Sequence, residues 1–283
     1  MLHYLKYGFE KETGEVNEDG EKVKVFIPGL QQNVEKRAEE AGITISSEVT
    51  LTEEERILVS AITQEEYFKI LNKKKEESSG YRVEIAEGVF LDYGLFMELK
   101  GGDFTQFVSD RGLVIADLAP AEIYALTLIY ANQKAGKTYG AILPYAVETP
   151  DRAGVWEAAR AALRQIGMQD LLEIGPPYEH SYRQYFMQGH DRGFFTFIVP
   201  TDPGSQIIPG DKIPEFTTGM QNALQALGTQ EALGAEGRLS VRIEIEGSVD
   251  DSISAIEKFF IDVKYALMSI GVKILTEDQD LLR

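Results

Sequence analysis

The sequence predicts an α+β fold with mixed or antiparallel sheets. A hairpin, short helices and a β-meander fill residues 1–137, and a ferredoxin-like βαββαβ sandwich fills 138–283, the two parts free to share one sheet. Three observations support this. Apolar runs broken by glycines recur between 81 and 116, strand-like and helix-like segments alternate after 138, and one aromatic-rich stretch dominates the second half. That stretch, Tyr178–Asp202, holds seven aromatics and two of the three histidines. It reads as a hairpin of Tyr182–Met187 and Phe194–Val199 around the turn Gln188–Gly193. In the second run both alternate sets, Phe194/Thr196/Ile198 and Phe195/Phe197/Val199, are largely apolar, which marks a strand covered on both faces.

In chain order, Leu2–Phe9 and Val23–Ile27 alternate apolar with polar and form strands joined by the polar Glu10–Glu21. Gln31–Ala41 is helix-like with Gly42 at its C-terminal cap, and a short strand is expected at Ile43–Ser46. Thr52-x-x-Glu55 and Thr63-x-x-Glu66 are capping boxes, starting helices over Glu53–Ile62 and Gln64–Glu77. The triplet Lys73–Lys75 falls where positive charge complements a helix C-terminus. Tyr81–Ala86, Val89–Leu99 and Phe104–Ile115 are the three meander strands. Pro120 opens a helix with Ile123, Leu126, Thr127 and Tyr130 as its buried stripe. Then follow strand Tyr139–Val147, helix Asp151–Ile166, the apolar piece Leu171–Ile174, the hairpin, helix Glu215–Leu227, strand Leu239–Glu246, helix Asp251–Ile270 and strand Val272–Leu275. The loop Thr201–Pro214, with three prolines and two glycines, runs over the surface.

Composition restricts the function. The chain of 283 residues is 43% hydrophobic and 26% charged, as an ordinary globular protein is. A net charge of −18, spread along the whole length, disfavours direct nucleic-acid binding, because that affinity comes from Lys and Arg releasing counterions. The absence of cysteine excludes disulfides, thiolate metal sites and cysteine nucleophiles, and fits a cytoplasmic location. No membrane span and no signal peptide are expected.

The chemical motifs are weak. Ala131–Thr138 matches a relaxed phosphate-loop pattern, but a helix is expected before it and a strand after it, the reverse of what phosphate cradling needs. Phe259-Phe260-Ile261-Asp262 resembles a magnesium-holding strand end, yet the apolar spacing from Ile256 to Ile270 is helical. No Gly-x-Ser-x-Gly elbow is present. Arg152, Arg160 and Arg164 form a positive stripe that local carboxylates such as Glu157 can neutralise, and Trp156 reads as a core anchor. The candidate acid–base residues are Glu179, His180, His190 and Asp191, although a hairpin would hold the two histidines at opposite ends. No cofactor and no metal is expected.

The leading functional expectation is a non-enzymatic interaction or assembly subunit with a protein partner or a second copy. Its contact surface is expected at Gly189, His190, Asp191, Arg192, Ile207, Ile208 and Asp211. The alternatives are an enzyme or small-ligand binder using a cleft beside residues 178–214, and an acidic decoy for a nucleic-acid-binding protein.

Overall fold

The computed structural model describes residues 9–16, 22–27, 64–146, 149–174, 186, 189–201, 218–247 and 249–280. The chain divides into two compact units, Met1–Gln64 with Pro209–Phe216, and Glu65–Ile208 with Thr217–Arg283. In the first, β1 (Phe9–Val16) pairs antiparallel with β2 (Lys22–Ile27), Phe9 opposite Ile27. Strand therefore occupies Glu10–Val16, where the sequence suggested a polar connection. Residues 2–8 and the segments expected at Gln31–Ala41, Ile43–Ser46 and Glu53–Ile62 lie outside the described residues.

The second unit is built on a six-stranded mixed sheet in the order β3-β4-β8-β7-β5-β6. Its strands are β3 (Arg82–Ala86), β4 (Val89–Asp92), β5 (Tyr139–Pro144), β6 (Gln169–Leu172), β7 (Gly193–Pro200) and β8 (Leu239–Ile245). The helices are α1 (Gln64–Glu77), α2 (Gly94–Ser109), α3 (Pro120–Gln133), α4 (Ala153–Gln165), α5 (Thr218–Ala235) and α6 (Val249–Asp280). Among the described residues no helix is long and apolar enough to cross a membrane. Strands β5 to β8 run parallel to one another, while β4 is antiparallel to both β3 and β8.

This topology corrects the ferredoxin-like expectation, which requires antiparallel neighbours. The expected hairpin is also absent, because β7 already has parallel neighbours on both sides, β5 and β8. The meander expectation fails after β4, since residues 94–109 form α2. Phe96, Met97, Phe104, Phe107 and Val108 repeat with helical spacing and are all buried, so packing of this face outweighs the two internal glycines. The expected final strand Val272–Leu275 belongs instead to α6, which continues unbroken to Asp280. The sheet also crosses the boundary expected near residue 137, since β4 pairs with β8.

The buried strands read as near-continuous apolar runs because both faces are covered. On one face, Leu91, Ile142, Phe194, Ile198, Val241 and Ile243 join a core with Phe96 and Phe104 of α2, Tyr124 and Tyr130 of α3, Trp156 of α4 and Phe260 of α6. Tyr124 there hydrogen-bonds Thr196 at 2.8 Å. The opposite face turns Phe195 against Phe186 and Phe197 against Tyr145. Gly136 and Gly167, with φ of 66° and 76°, end the turns after α3 and α4 in the left-handed region.

Candidate functional site

The most unusual chemistry on the sheet is a set of buried charges on the face covered by α5. Leu239, Val241, Ile243 and Ile245 of β8 enter the apolar core. Period-two alternation therefore sends Ser240, Arg242 and Glu244 the other way. Register places Arg242 opposite Asp92 of β4, and Asp92 opposite Arg82 of β3. The row reads Arg82, Asp92, Arg242 across three adjacent strands.

The Arg242 guanidinium binds Asp92 Oδ2 at 2.7 Å, Glu244 Oε1 at 2.9 Å and Gln230 Oε1 at 2.8 Å. The side chains of Arg242, Asp92 and Glu244 are 7%, 6% and 1% exposed, so the ions hold each other out of water. Gly94 N–H donates to Asp92 Oδ1 at 2.9 Å. Ser78 Oγ lies 2.7 Å from Asp92 Oδ2 and 2.8 Å from the Lys74 carbonyl, so its one proton serves one acceptor at a time. Arg82 donates to Glu244 at 2.8 Å and stacks 3.4 Å over the Phe90 ring. Arg82 and Lys75 also hold Glu246; burial would raise its carboxyl, but these cations outweigh that and pull it down.

Above this floor lies a cleft of about 400 Å³. Glu77, Glu98, Glu231 and Lys74 stand among its lining residues, with Tyr81 beside them. Burial opposes the Lys74 ammonium, but hydrogen bonds to Glu231 and Glu77 outweigh it and raise its pKa. Both Asp92 oxygens are engaged, so this carboxylate suits fixing a polar ligand's neighbours more than proton transfer.

The other sequence candidates are spread out. His190 is exposed, and among its neighbours Asp191 forms a salt bridge with Lys137 and another with Arg238 at 3.2 Å. Arg238 also donates to the Gly189 carbonyl at 2.6 Å. The Gly189–Arg192 turn is thus tied to the starts of β5 and β8, with His190 and Arg192 facing outward. Lys137 is 2% exposed and its pKa is lowered by burial, an effect that Asp191 partly offsets. The phosphate-loop match therefore follows α3 and precedes β5, its lysine spent on Asp191. Glu179, His180, Ile207, Ile208 and Asp211 lie outside the described residues, as do Tyr178, Tyr182 and Tyr185. Arg160 and Arg164 meet Asp170 at 2.5 and 2.9 Å, Arg164 also meets Glu157, and Arg152 meets Asp250 at 2.8 Å. Among the described residues no group of three or more His, Asp or Glu could hold a metal ion.

The sequence reading missed Asp92, Arg242 and Glu244. The signal was the alternation in Leu239–Glu246, where an arginine and a glutamate two apart share one face of a strand; it was read only as a strand pattern.

No family model and no curated protein matches the chain. Among solved structures it is similar to the crystal structure of a hypothetical protein, TT0462, from Thermus thermophilus. The two share a TM-score of 0.42 and 15% identity over 66% of this chain and 50% of that chain. The match thus spans half the length of the Thermus protein.

Proposed function

We propose that this chain is a cytoplasmic, non-enzymatic interaction or assembly subunit. The observation that carries the reading is the outer side of α6, where Ile261, Tyr265 and Met268 are 42%, 65% and 49% exposed. Three large apolar side chains on one helix face, each leaving much of its surface in water, form the kind of patch a partner covers. Beside them a groove of about 440 Å³ is lined by Ile85, Pro120, Phe259 and Tyr265. The Gly189–Arg192 turn, anchored from beneath, is a second contact surface. Light scattering on the purified chain together with a native pull-down tests the reading. An oligomer or a stoichiometric partner is expected; a strict monomer that retains nothing would overturn it.

A second reading is favoured by the cleft over Asp92 and Arg242. Its four carboxylates against two cations suit a small polar ligand carrying positive charge. Screening basic amino acids and polyamines by thermal shift tests it. A Cβ on Gly94 would lie 2.7 Å from Ser78 Cβ, so a Gly94→Val variant narrows the cleft. Binding that is unchanged in that variant would assign the ligand elsewhere.

A further inference from the structure

Helix α1 is fastened to the second unit in a different way from α3. Among its described side chains only Tyr67 and Leu71 are buried, while Phe68 and Ile70 are 40% and 36% exposed. Helix α3, also of 14 residues, buries ten. Tyr67 and Leu71 also stand outside the continuous apolar core that joins the sheet to α2, α3, α4 and α6. The remaining ties of α1 are polar. Tyr67 donates its hydroxyl to the Thr201 carbonyl, just past β7, at 2.9 Å. Lys74 reaches Glu231 of α5 at 2.5 Å, and Lys75 reaches Glu246, just past β8, at 2.7 Å. The two lysines of the last turn are thus engaged by two other elements, and both pairs are open to solvent, with Glu231 and Glu246 55% and 38% exposed. Ser78 meets Asp92 at 2.7 Å, and the turn Ser79–Tyr81 then leads into β3. A Cβ on Gly80 would meet nothing within 4 Å, so this turn stands clear of its neighbours.

We propose that α1 is a strap latched by the Lys74–Glu231 and Lys75–Glu246 pairs, which swings open about the Ser79–Tyr81 turn while the sheet and its core stay folded. The strap goes beyond both functional readings and depends on neither. An element opens separately from its domain when few buried apolar side chains hold it, and α1 has two where α3 has ten. Ion pairs with this much solvent access are weak and are screened by salt. Between 0.1 M and 1 M salt the Debye length falls from about 10 Å to about 3 Å, so the latch loosens over that range. Lys74, Glu77 and Ser78 line the cleft above Asp92 and Arg242. Each opening therefore removes one wall of the cleft and admits water to the buried ions. Ionic strength sets how often the cleft is complete.

Native-state amide exchange of the full chain, read by mass spectrometry, tests the strap. In 0.1 M sodium chloride the amides of residues 68–77 should exchange about tenfold or more faster than those of 124–131 in α3. They should share one rate, since the helix opens as a unit. In 1 M sodium chloride that rate should rise about threefold to tenfold while α3 is unchanged. The double variant Lys74→Gln, Lys75→Gln should exchange at the high-salt rate already in 0.1 M salt and lose the salt response. Both lysines lie outside the core, and unchanged protection of α3 in the variant verifies that its fold is intact. Protection of α1 equal to that of α3 would overturn the proposal. So would exchange that is fast only at the helix ends, which is fraying, or a rate indifferent to both salt and the double variant, which leaves no ionic latch.

Discussion

Arg242 holds two carboxylates that have almost no access to water. Removing it leaves Asp92 without its arginine and Glu244 with Arg82 alone, a loss of about 3–5 kcal/mol when one partner of a buried pair is deleted. Arg242→Met should therefore lower the urea midpoint sharply, with the slope of the transition unchanged. Lys137 is the contrasting case. It is equally buried, but its partner Asp191 is about half exposed and retains Arg238. Lys137→Met is expected to change stability by no more than about 1 kcal/mol in the same titration. Asp170 supplies a pH test. Burial raises its pKa, but hydrogen bonding to Arg160 and the charges of Arg160 and Arg164 prevail and lower it below the ordinary carboxylate value. A carboxyl depressed in the folded state contributes stability that is full above its unfolded pKa and disappears as pH falls through the folded one. Arg160→Gln should thus cost stability at pH 7 and progressively less as the solution is acidified below about pH 4. Urea titrations of both proteins at several pH values would measure the convergence. At this scale the sequence showed which arginines had nearby acids, as Arg164 and Glu157 illustrate. It could not show Asp92 and Arg242, 150 positions apart, because only strand register brings them together.

Elements with one dominant pattern were legible. Gln64–Glu77 follows its capping box, and Pro120–Gln133 starts at its proline, because both signals are local. Segment Gly94–Ser109 was not legible. Its aromatic and β-branched residues favour strand and its glycines interrupt a helix, yet burying Phe96, Phe104 and Phe107 together decides the outcome. Strand β7 was read correctly as interior, but its partners were not, since an all-apolar strand carries no mark of which neighbours it takes. The β5–α4 contact gives an element-scale prediction. A Cβ on Gly140 would lie 2.5 Å from Leu163 Cδ2, and Leu163 is fully buried. Gly140→Ala should destabilise by about 1–3 kcal/mol through overpacking, and Leu163→Ala in the same chain should recover part of that loss. Calorimetric melting of the two single variants and the double variant would show whether the coupling is present.

For the molecule as a whole, the net charge of −18 bears on association. Two copies approaching through α6 repel over a range set by ionic strength, with a Debye length of about 10 Å at 0.1 M salt and about 3 Å at 1 M. Self-association through the apolar face of α6 should therefore tighten as sodium chloride is raised. An interface held by opposite charges would instead loosen, and sedimentation at low and high salt separates the two. The sheet has a further consequence, one of timing. Strand β4 can form its antiparallel pair with β3 as soon as residue 92 is made, but its other edge is closed only by β8, which ends at Ile245. At a synthesis rate of roughly 5–20 residues per second, that edge stays open for about 8–30 s on each nascent chain. During this interval Asp92 has no Arg242, and the β3–β4 hairpin exposes an unpaired strand edge that ends in a carboxylate, with only Arg82 of β3 opposite it. A charged side chain on an open edge is a recognised guard against premature strand addition. The carboxylate that later anchors the buried ion cluster thus begins as the protector of an unfinished sheet.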